Sequence, residues 1–132
     1  MDFIVGLHSL VRWLVVIAAV GAIIRYVIDL VGKSPDVELG RKLMMAYTIL
    51  LDVNVLLGII LIAGRAIGIG QILPVWIEHA VTNIIAVVIA HIFAARGKKQ
   101  SDPKRAATWR LAGVVISMLL IVMGVARIGG WS

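Results

Sequence analysis

The sequence predicts an all-α protein, a four-helix transmembrane bundle forming one integral membrane domain over residues 1–132. Three observations predict it. Hydrophobic residues make up 61% of the chain and charged ones 15%, whereas a soluble domain is about half apolar and about a quarter charged. The apolar residues gather into four runs, at 3–31, 42–63, 73–95 and 109–129, each near the roughly 20 residues that cross a bilayer. Most of the charge lies in the short links between those runs, and the mean hydropathy is +1.05.

The first run reads as a retained helix and not a signal peptide. It opens on Asp2 where a Lys or Arg is expected, Arg12 interrupts it, and no small-residue cleavage site follows. Arg25 and Asp29, spaced i,i+4, are placed to form a local ion pair. Gly32 and Pro35 end the helix, and Glu38, Arg41 and Lys42 make the link polar. The second run carries Asp52 near its middle and ends at Gly64-Arg65; Gly70 and Pro74 complete a link with one cation. The third opens with Trp76-Ile77-Glu78-His79. It is followed by the most basic stretch of the chain, Arg96-Gly97-Lys98-Lys99 to Lys104-Arg105. Within that stretch Ser101-Asp102-Pro103 has the form of a helix start with proline in the first turn. The fourth run begins at Trp109. Trp76, Trp109 and Trp131 fit interfacial anchors.

Positive residues concentrate in cytoplasmic loops. The first and third links are therefore expected inside, and both termini and the Arg65 link outside, in a multi-pass protein of a bacterial inner (plasma) membrane. The net charge of +6 is topogenic on this reading and not a nucleic-acid footprint. With no Cys, disulfides, iron–sulfur clusters and thiolate zinc sites are excluded. No Ser-His-Asp arrangement and no phosphate loop is present, so neither hydrolysis nor group transfer is supported.

Two places carry chemistry. His8 and Arg12 share one helix face at the mouth of the first run, and His79 sits at the mouth of the third. The first and third helices run in the same direction. Each histidine lies about 6–8 Å below its helix start at 1.5 Å per residue, so the two are level. Two level imidazoles on parallel helices suit the two axial positions of a haem iron. Arg12, Arg65 and Arg127 fall in the same half and suit carboxylates such as propionates, although Arg65 and Arg127 also read as ordinary snorkelling residues.

A weak repeat agrees with this: His8-x-x-x-Arg12 echoes His79-x-x-x-Asn83, and Gly64-Arg65 echoes Ala126-Arg127, as in two parallel hairpins. Asp52 is expected to pair with Arg12 or to keep its proton, because a lone carboxylate in the membrane is costly. Asn54 and Asn83 fit interhelical hydrogen bonds. His91 lies 12 residues beyond His79 and cannot share its metal. A hydrogen bond to Tyr47 and a second cofactor are its two readings.

The pattern His8-Ser9-Leu10-Val11-Arg12-Trp13, with Glu78-His79 opening the third helix, resembles the small bacterial four-helix membrane proteins labelled cytochrome b-like. The resemblance implies bound haem b and one-electron transfer, with quinone or the subunits of a respiratory or photosynthetic redox complex as partners. It also implies a histidine in the second helix, where this chain has Asp52. Other readings of the same residues stay open. They are a non-catalytic accessory subunit, chlorophyll-type pigment binding at single histidines, and a proton path through Asp52. Homo-oligomerisation is left open too.

Overall fold

A computed structural model describes residues 2–128, and the side chains of residues 3–126. They form four helices and no strand: α1 (Asp2–Val31), α2 (Val37–Ile69), α3 (Pro74–Lys98) and α4 (Pro103–Ile128). All four are long and apolar enough to cross a membrane. The chain is a multi-pass four-helix bundle.

The helices extend beyond their apolar runs, and the caps show why. Asp36 accepts a hydrogen bond from the Leu39 N–H at 3.0 Å, which starts α2 at Val37 and makes its charged first turn helical. Asp29, bridged to Arg25 as its spacing predicts, also accepts the Asp36 N–H at 3.0 Å, so one carboxylate joins the last turn of α1 to the cap of α2. At the far end of α2, Gly70 takes the left-handed conformation (φ +75°) and its N–H closes on the Ala66 carbonyl at 2.8 Å. Asp102 accepts from the Lys104 N–H at 3.1 Å and Pro103 opens α4, six residues before the apolar run.

With links this short the helices run up-down-up-down. Each packs on its chain neighbours, and α1 also packs on α4. The pair α1 and α3 lie diagonally, with no Cα approach within 8 Å among the described residues.

The seam follows helical spacing. Val11, Val15, Ala19, Ala22 and Tyr26 form the buried stripe of α1, and Met44, Tyr47, Leu51, Asn54, Leu57 and Leu61 that of α2. On α3 the stripe is small and polar, Asn83, Ala86, Ala90 and Gly97, which lets α4 come close. A Cβ on Gly113 of α4 would stand 2.6 Å from the Phe93 Cβ. Trp109 makes an edge-on contact with Phe93, ring centroids 5.4 Å apart, and Arg96 lies over its ring. It therefore packs against α3 as well as sitting near a helix end.

A few polar groups lie within the apolar interior, while Leu10, Ile17, Ile24, Leu56, Ile85 and Leu119 face outward, a surface compatible with lipid contact. The Tyr26 hydroxyl donates to the Gly40 carbonyl at 2.7 Å, joining α1 to α2. Ser117 donates to the Gly113 carbonyl at 2.6 Å, so the Tyr47 hydroxyl donates to Ser117, also at 2.6 Å, joining α2 to α4.

Candidate functional site

His8 and His79 line one cavity of about 330 Å³, bounded by all four helices at the end where α1 and α3 begin. They also share a tighter crevice with Asn54, Gly58 and Asn83. The two positions that sequence depth placed level are thus brought together. Arg12 of α1 and Arg65 of α2 line the same cavity, with Ile121 and Val125 of α4 supplying an apolar wall. The side chain of Arg127 and all of Trp131 lie outside the described residues.

The two imidazoles are held differently. The His79 Nδ1 lies 3.2 Å from the Gly124 carbonyl oxygen of α4. A carbonyl can only accept, so the proton sits on Nδ1 and the lone pair on Nε2. Asn83, one turn along, lies 3.2 Å from that Nε2, and its amide also donates to the His79 carbonyl at 2.8 Å. The His8 ring lies against Gly58 of α2. A Cβ there would stand 3.2 Å from the His8 Cε1, so the ring occupies the space a side chain would fill. Among the described residues the buried His8 Nδ1 has no hydrogen-bond partner, and neither does the Asn54 Oδ1. His79, Arg12 and Arg65 are all within electrostatic reach of the His8 ring.

In each hairpin a histidine on the first helix meets a glycine on the second, His8 on Gly58 and His79 on Gly124. Gly58 lies seven residues before Arg65 but Gly124 three before Arg127, so the two contacts are not equivalent positions of the repeat.

Asp52 does not pair with Arg12. Its two oxygens lie 2.8 and 3.0 Å from the His91 Nε2, bridging α2 and α3, because Asp52 points out of the bundle and not into the seam. Arg12 instead approaches the Ser9 hydroxyl at 3.5 Å and stacks over Trp13 with its guanidinium 5.6 Å from the ring centre. His91 likewise misses Tyr47, whose hydroxyl goes to Ser117. Depth along a helix placed these residues correctly but said nothing of the face.

Three contributors were not legible as site residues: Gly58, the Gly124 carbonyl, and Trp76, which lines the cavity beyond any anchoring role. The nearest available signal was Asn54 and Gly58 at i,i+4 on the second helix, a polar and a small residue sharing one face.

Among the described residues no three His, Cys, Asp or Glu side chains gather as a metal cage. The donor set is two imidazoles with flanking cations, which suits an iron whose other ligands come from a macrocycle. Set against protein-family models, curated proteins and solved structures, the chain matches none.

Proposed function

We propose that this protein is a b-type cytochrome of the cytochrome b-like kind, holding haem b through His8 and His79 and serving one-electron transfer. The observation that carries the reading is the pairing itself. One cavity is lined by an imidazole with an unpartnered buried nitrogen and by an imidazole whose carbonyl partner fixes its proton on Nδ1. A carbonyl on the far nitrogen of a ligating histidine fixes its tautomer and raises its basicity, and the Gly124 carbonyl stands in that position toward His79. Asn83 can yield Nε2 without losing its hydrogen bond to the His79 carbonyl. Arg12 and Arg65, with Arg127, would supply the cations for propionates, and Ile121 and Val125 an apolar wall beside the ring. The bound haem supplies a one-electron couple at its iron.

The basic end, with the two cation-rich links, is assigned to the cytoplasm of a bacterial plasma membrane and the histidine end to the outside. Quinone or the subunits of a larger redox complex are the proposed partners.

Oxidised and dithionite-reduced absorption spectra of the detergent-purified protein, beside His8→Ala and His79→Ala, test the reading. Sharp reduced bands are expected in the wild type and their loss in either variant. A colourless wild type made with haem available would overturn it.

One observation favours a second reading, a non-catalytic accessory subunit. The Asp52–His91 pair stands with side chains 45% and 50% exposed on an otherwise apolar outer face, where a partner helix would shelter it better than lipid. Retention of the wild type in a larger complex without colour would select that reading.

A further inference from the structure

At the opposite end of the bundle lies a second cavity of about 280 Å³, between α2, α3 and α4. Three of its lining residues are cations from three helices: Arg41, Lys98 and Arg110. Arg110 is the unusual one. It is only 4% exposed although it stands one residue inside the apolar run that begins at Trp109, at the membrane edge where an arginine ordinarily snorkels outward to water and headgroups. Among the described residues it makes no ion pair. The nearby carboxylates are engaged elsewhere, Glu38 with Arg41, Asp29 with Arg25, and Asp52 with His91. Arg41 therefore brings a largely neutralised charge, and Lys98 and Arg110 bring the uncompensated ones. Gly97 makes room for Arg110, since a Cβ there would stand 3.0 Å from the Arg110 Cγ.

From these observations we propose that this cavity binds the phosphate of an anionic phospholipid. Arg110 and Lys98 hold the headgroup, and the acyl chains lie along the outer face of α2 and α3. The cavity changes character with depth: Lys98 stands at the last residue of α3, while Met44, Met45, Ala94 and Ala95 form an apolar wall further in. Beyond them Ile49, Val53, Val88 and Ile92 continue an exposed apolar surface, interrupted by Thr48 and the Asp52–His91 pair. A headgroup with attached chains matches both halves, whereas a soluble phosphate matches only the first. Basic pockets between membrane helices at the charged leaflet bind such lipids through Arg and Lys.

Native mass spectrometry of the detergent-purified protein tests the site. The probes are synthetic phosphatidylglycerol, phosphatidylcholine and inorganic phosphate, each titrated separately. One phosphatidylglycerol per chain is expected to be retained, at least tenfold more tightly than either other probe. Arg110→Gln and Lys98→Gln should each weaken it about tenfold, Lys98→Gln serving as the check should Arg110→Gln fail to fold. Lys104→Gln removes the same charge at the same end of the bundle but outside the cavity, and should leave retention unchanged. Equal weakening by Lys104→Gln would mean diffuse attraction, equal retention of inorganic phosphate a soluble anion, and no effect of Arg110→Gln or Lys98→Gln no site. Each of these overturns the proposal. The site does not depend on haem: His8→Ala should retain the lipid unchanged, so the two readings fail separately.

Discussion

At the residue scale the most informative position is Gly58. Because a Cβ there would stand 3.2 Å from the His8 Cε1, Gly58→Ala forces a small shift of the ring, and Gly58→Leu fills its space. On the haem reading proposed above, pigment retention should fall modestly in Gly58→Ala and be abolished in Gly58→Leu, with helical circular dichroism unchanged in both. A Gly58→Leu protein as coloured as the wild type would show that the ring is not held there. The hydroxyl relay from Tyr47 through Ser117 to the Gly113 carbonyl gives a smaller effect. In Tyr47→Phe, Ser117 keeps its backbone partner, so the loss should be about 0.6 kcal/mol, the average for an interhelical hydrogen bond in a membrane. Unfolding in a sodium dodecyl sulfate titration measures it. The sequence marked His8 and His79 because imidazoles are conspicuous in apolar helices. It could not mark Gly58, because a glycine's role is defined by what fills its missing side chain, and that depends on the register of another helix. Asp52 shows the converse: its depth was legible, its partner was not, since a residue on the outer face of α2 finds α3 and not the interior.

At the scale of elements, hydropathy located all four helices but placed the starts of α2 and α4 late, at 42 and 109 against Val37 and Pro103. Hydropathy reports the part of a helix that sits in lipid. The capped, charged first turn reports itself through Asp36 and through Asp102-Pro103. The contacts between helices separate the glycines further. A Cβ added to Gly113 would stand 2.6 Å from the Phe93 Cβ, closer than side chains tolerate, whereas one added to Gly21 would meet nothing within 4 Å. Gly113→Ala must push α3 from α4 and is expected to lower stability by about 1–3 kcal/mol, the usual range for overpacking. Gly21→Ala should be neutral or stabilising by up to about 1 kcal/mol, from helix propensity alone. The same detergent titration ranks them, and equal effects would contradict the packing described.

At the scale of the whole molecule, the cationic links at one end and the histidine cavity at the other give the bundle two unlike faces. The chain has no Cys, so single cysteines report orientation without background. Ser101→Cys should react with a membrane-impermeant maleimide only after cells are opened, and Gln71→Cys in intact cells. The reverse pattern would invert the assigned topology. The two ends are also mechanically one. Eighteen residues separate His8 from Tyr26 on α1, and eighteen separate Gly40 from Gly58 on α2. The Tyr26–Gly40 hydrogen bond and the His8–Gly58 contact therefore belong to a single alignment of two rigid rods, about 27 Å apart at 1.5 Å per residue. Tyr26 acts as a set-screw: slipping α1 by one turn would move the imidazole about 5.4 Å off its glycine. The height at which His8 enters the cavity is thus gauged from the opposite side of the membrane.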